Sequence, residues 1–146
     1  MDIAMCYRLF LSTSSPEDLT RYNSEWVRFR RPDVGDSLST TALENTQQWF
    51  VGSMDGCSCR FRHLADGDLG FGEPQDWMEE DEDSIRATRE LYRAIASLVR
   101  GGHKVDCLDL WQEMEPVSIH TMSVRLSEVP AEAFRLFEGH HFVFEP

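Results

Sequence analysis

The sequence predicts a single α+β domain: a mostly antiparallel sheet of five or six strands with one long amphipathic helix, about residues 84–100, packed on a face. Three observations carry that prediction. One stretch holds an apolar stripe at helical spacing along its whole length. Several other runs alternate in period two and are rich in aliphatic and aromatic residues. No linker or composition shift divides the 146 residues, so residues 1–146 read as one domain, long enough to bury a continuous core.

Residues 5–13, MCYRLFLST, place Tyr7, Leu9 and Leu11 on one face and Cys6, Arg8 and Phe10 on the other, which predicts the first strand. Ser15 before Pro16, with Glu17 and Asp18 following, marks the start of a short helix. Residues 26–30 alternate again and stop at Pro32, giving a second strand. Residues 33–47 are polar and read as a loop, with room for a helical turn over 42–48. WFVGS at 49–53 is a third strand, and Gly52 and Gly56 bracket the turn that follows it.

Residues 65–74 are glycine-rich and irregular, and the run 73–83 holds seven acids and no base. That run reads as a solvated lead-in to the helix, whose arginines Arg86, Arg89, Arg93 and Arg100 follow it and complement the macrodipole. Ile85, Leu91, Ile95 and Leu98 form the apolar stripe, and Gly101-Gly102 ends it. HKVDCLDLWQ at 103–112 is apolar on both faces, as an interior strand would be, and Pro116 breaks it. In 119–126, His120, Met122, Val124 and Leu126 share a face, predicting a half-buried strand of an antiparallel pair. Pro130 opens a short helix bearing Phe134 and Phe137, Gly139 closes it, and HHFVF forms the last strand.

Charge narrows the function classes. The formal net charge is −12, which repels phosphate backbones and anionic membrane faces, so neither nucleic acid nor a membrane is an expected partner. No stretch reaches the roughly 18 apolar residues of a membrane span, and the N-terminal run has no basic region of the secretory kind. A cytoplasmic location follows as the expectation, with cysteines reduced unless they bind metal or cycle. The partners left open are a protein or a second copy of the chain.

The candidate chemistry centres on GCSCRF, residues 56–61. In an extended strand Cys57 and Cys59 would share a face with Cα atoms about 6.6 Å apart, too far for an unstrained disulfide. Two thiolates on a tetrahedral zinc sit roughly 3.8 Å apart, a separation side-chain rotation reaches from a turn. His63 follows at C-x-C-x-x-x-H spacing, and Cys6 on a neighbouring strand supplies a fourth ligand, so the metal set is Cys6, Cys57, Cys59 and His63. The opposing reading is that reduced cysteines pack as small hydrophobes, since a lone C-x-C lacks the second knuckle of a specific zinc motif. Arg60 and Arg62 beside Cys59 admit a redox thiol, but no C-x-x-C is present. A Cys–His nucleophile pair, Cys57 or Cys59 with His63 or His120, has no sequence feature to fix its geometry. Cys107 reads as core, His120 as a hydrogen-bonded structural histidine, and His140 and His141 as pointing to opposite faces. No phosphate-binding loop, dinucleotide fingerprint, zincin helix or nucleophile elbow occurs.

Met5, Cys6, Leu9, Phe10 and Leu11, with Gly52, Ser53, Gly56, Cys57, Cys59 and Phe61, follow a pattern of Met-Cys, a Leu-Phe-Leu strand and a later Gly-Cys-x-Cys-x-Phe motif. On these two short stretches the chain resembles a small uncharacterised bacterial protein family. The resemblance implies that Cys6, Cys57 and Cys59 belong together, and it implies no activity. Ser58 and Arg60 depart from it where the pattern has glycine, which puts a positive-φ turn at those positions in question.

The functional expectation is a small soluble binding protein with a cysteine-based zinc site, rather than an enzyme. The alternatives are a protein–protein interaction module with structural cysteines and a thiol-dependent enzyme or redox sensor.

Overall fold

The computed structural model describes residues 7–36, 40–54, 56–64, 70–72, 81–111 and 119–146. Cys6, Pro116 and most of the acidic run 73–83, all invoked above, lie outside them. The elements are β1 (Tyr7–Thr13), β2 (Arg28–Arg30), β3 (Gln47–Gly52), β4 (His63–Leu64), helix α1 (Glu82–Arg100), β5 (Val105–Trp111), β6 (His120–Arg125), β7 (Leu136–Phe137) and β8 (His140–Glu145). Six strands form one sheet in the order β2-β3-β1-β5-β8-β6, and β4 pairs with β7 in a small second sheet. The architecture is α+β, as the sequence predicts.

The helix forms where its stripe and caps agree. Asp81 accepts the Asp83 N–H at 3.1 Å, and Glu82 and Asp83 occupy the first turn, where acids suit the macrodipole. At the other end Gly101 N–H bonds Ser97 O, and Gly102 adopts φ 89°, the left-handed conformation that favours glycine. Leu91, Ile95 and Leu98 are fully or almost fully buried and pack with Leu9, Leu11, Val51, Cys107 and Phe142 on one sheet face. The opposite face carries a smaller cluster of Phe10, Leu43, Phe50, Leu108 and Leu110. β5 therefore buries both faces, which explains its unbroken apolarity.

Three expectations need correction. The strand at 119–126 pairs in parallel with β8, His120 opposite His140 through Arg125 opposite Glu145, not as half of an antiparallel pair. The chain between β6 and β8 is a crossover rather than a tight hairpin, and only a crossover can bring two strands side by side in the same direction. The short helix after Pro130 is a turn leading into β7, with Leu136 N–H bonded to Arg62 O and Glu138 N–H to Leu64 O, both at 2.8 Å. Phe134, Leu136 and Phe137 are buried there, so strand pairing and aromatic packing win over the weak helix signal. The turn near Pro16 is a 3-10 helix beginning later, at Leu19, capped by Asp18 accepting the Thr20 N–H.

Candidate functional site

GCSCRF is a hydrogen-bonded turn between β3 and β4. Ser53 N–H donates to Cys57 O at 2.7 Å, Ser53 Oγ donates to the same carbonyl at 2.6 Å, and Gly56 N–H donates to Ser53 O. Gly56 takes φ 83°, and a Cβ on Gly52 would lie 2.6 Å from Gly56 O, so both glycines are required by the fold of the turn. Ser58 and Arg60 need no left-handed backbone, since no described non-glycine residue has positive φ. Ser58 is fully buried, accepting Leu9 N–H at 2.9 Å and donating to Val51 O at 2.5 Å. Its hydroxyl thus ties β1 to β3 at the sheet end, a job glycine cannot do. Cys57 and Cys59 flank it, each half-buried and not bridged to one another.

His63 has protein partners at both ring nitrogens. Its Nε2 lies 2.6 Å from Ser58 O, a pure acceptor, so that nitrogen carries a proton and donates. Its Nδ1 lies 2.8 Å from Asp109 Oδ2, a spacing that requires one proton between them. Both ring nitrogens are therefore engaged, and the ring stacks on Tyr7 with centroids 3.8 Å apart. In this arrangement His63 presents no lone pair to a metal at Cys57 and Cys59. Among the described residues no group of three or more His, Cys, Asp or Glu side chains is arranged to hold a metal ion.

What gathers around His63 is a row of polar side chains on the helix side of the sheet. Register places Asp109 opposite His140 and His140 opposite His120, so all three share that face. His140 Nδ1 donates to Glu138 O at 3.0 Å, and its ring centroid is 5.7 Å from that of His120. Tyr7 donates its hydroxyl to Glu138 Oε1 at 3.1 Å. Burial pushes the Tyr7 phenol well above its ordinary range and the Glu138 bond adds to this, so Tyr7 remains a donor. Burial likewise raises the Asp109 carboxyl, against the pull of His63. The other oxygen of Asp109, Oδ1, is buried with no hydrogen-bond partner among the described residues.

A second buried His–Asp pair lies on the opposite face. His141 Nε2 is 2.6 Å from Asp106 Oδ2, and Asp106 also accepts Glu44 N–H at 2.8 Å, Asn45 Nδ2 at 3.1 Å and the Ser12 hydroxyl. Burial works against the Asp106 charge, but these donors outweigh it and hold the carboxyl below its usual range. His141 Nδ1 meets the hydroxyl of Thr121 at 3.2 Å. This network fastens the 44–45 segment to the sheet. As the sequence indicates, His140 and His141 point to opposite faces.

Sequence patterning singles out neither Asp106 nor Asp109. A signal existed: two aspartates inside VDCLDLW, an interior strand, must each have a partner, and the chain's few histidines are natural ones. Cys107, between them, is fully buried, and burial pushes its thiol well up. We expect Cys107 to resist thiol reagents until denaturant is added, while Cys57 and Cys59 react in the native protein. A reactive-thiol count that rises on adding chelator alone would instead mark Cys57 and Cys59 as metal-bound.

Comparison with known proteins finds no matching family model, no matching curated protein and no matching solved structure. No described helix is long and apolar enough to cross a membrane.

Proposed function

We propose that the chain is a small binding protein that takes a positively charged or hydrogen-bond-donating group at the Tyr7–His63–Asp109–His140 end of the sheet. The observation that supports this reading is the buried Oδ1 of Asp109, an acceptor with no donor among the described residues. Leaving such an oxygen unmatched costs about 1–3 kcal/mol, which a ligand N–H, O–H or cation would offset. The net charge of −12 raises the local concentration of cations and favours the same ligand class. Binding rather than catalysis is favoured because His63 and Tyr7 are already held by protein partners, as the wall of a preformed site would be.

Zinc, which imidazole and carboxylate ligands suit, is the first ion to test, and methylguanidinium the first organic cation. Titration of the native protein should shift the ring resonances of His120 and His140 saturably while leaving His103 unmoved. Asp109→Asn keeps the shape and the His63 contact but removes the charge, and should weaken binding about tenfold. The reading fails if neither probe moves these histidines. It fails equally if Asp109→Asn, still showing a cooperative thermal transition, binds as tightly as the parent.

A further inference from the structure

We propose that the groove between the 16–20 turn and strands β2 and β3 is a second binding site, for a small, singly charged carboxylate on an apolar body. The groove has a volume of about 430 Å³, within the range of small-molecule sites. Pro16, Phe29 and Trp49 supply apolar surface, while Thr20, Asp18, Arg30 and Arg31 supply its polar groups.

Two independent features point to an acceptor-bearing ligand. Trp49 is 2% exposed, and its indole Nε1–H is buried without an acceptor among the described residues. An indole nitrogen only donates, and buried ones usually find a partner, so Trp49, which lines the groove, carries an unmet donor. Arg31 is the second feature. Its guanidinium lies over the Trp49 ring at 3.9 Å, held by Nη1 donating to Gln48 O and Nη2 to Gln47 Oε1, both at 3.1 Å. Those two bonds fix the planar group and leave three of its five donors for a ligand, the fork that matches a carboxylate. Being stacked and tethered, Arg31 loses little freedom on binding.

Asp18 narrows the ligand further. Its Oδ1 accepts the backbone N–H and the hydroxyl of Thr20, and its exposed charge stands at the same groove. That carboxylate offsets one of the two arginines lining the groove, Arg30 and Arg31. With the overall charge of −12, this matches a ligand with one negative charge better than a multiply charged anion such as phosphate. A single carboxylate attached to a ring or aliphatic body would pair with Arg31 and lay its apolar part on Phe29 and Pro16.

Benzoate is a suitable probe. The chain has four tryptophans, and Trp49→Phe identifies the Trp49 indole signal in a proton–nitrogen correlation spectrum. Benzoate should move that signal saturably, whereas inorganic phosphate at equal concentration and ionic strength should not. Arg31→Ala should weaken benzoate binding about tenfold or more, and Arg31→Lys should recover only part of the loss. The exposure of Arg31 makes these variants safe for folding. A Trp49 signal that stays in place up to about tens of millimolar benzoate overturns the proposal, as weak fragment binding would already be visible there. So does an equal response in Arg31→Ala, or an equal response to phosphate.

Discussion

Asp106→Ala is expected to destabilise the protein by about 3–5 kcal/mol at neutral pH, the cost typical of removing one partner from a buried charged network. Asp106 is fully buried and is the common acceptor for His141 Nε2, Glu44 N–H, Asn45 Nδ2 and the Ser12 hydroxyl. Alanine leaves four donors without their acceptor. His141 and Ser12 are themselves buried, so water cannot readily replace it. The effect should depend on pH in a definite direction. The folded-state pKa of Asp106 lies below its ordinary value, so its carboxylate contributes stability above the unfolded-state pKa. That contribution disappears as the pH falls through the folded pKa. The gap in stability between parent and Asp106→Ala should therefore be widest near neutrality and narrow below about pH 4. Urea unfolding at several pH values tests this. A gap that is small at pH 7, or that grows on acidification, would show that Asp106 does not hold the 44–45 segment as described.

Leu91→Ala should cost about 2–5 kcal/mol, with a fall in the thermal midpoint on the order of 10 °C. Leu91 has no exposed surface and sits mid-helix, between Ala87 and Ile95 on the buried stripe. Deleting its isobutyl group removes contacts with the helix-side core and leaves a cavity, because the sheet below is fixed by its ladder. Arg93, two residues on, is exposed and bonded to Glu90 at 2.9 Å. Arg93→Ala should change stability by no more than about 0.5 kcal/mol. Equal effects from the two substitutions would mean that α1 does not cover the core.

These two residues differ in how far the sequence announces them. Leu91 is legible because a helix buries one stripe, and 3.6-residue spacing writes that stripe into neighbouring positions of the chain. The same local logic recovers β1, β3 and β5, the double-sided burial of β5, the placing of Cys107 in the core and the opposed directions of His140 and His141. Asp106 is legible only as an anomaly, an acid in an apolar strand. Its histidine is 35 residues away, and the partner of Asp109 is 46 residues away.

The sequence by itself therefore determined the fold class, the long helix and the face on which each strand residue stands. Tertiary structure alone decided which strands became neighbours. It set β6 parallel to β8, turned the segment after Pro130 into β7, and gave the ring nitrogens of His63 to Asp109 and Ser58. The physical reason is range. Periodicity and capping act within a few residues and leave a local record. Strand pairing and the sharing of a proton between a buried imidazole and a carboxylate depend on groups that meet only when the chain closes on itself, and no short window of sequence contains both partners.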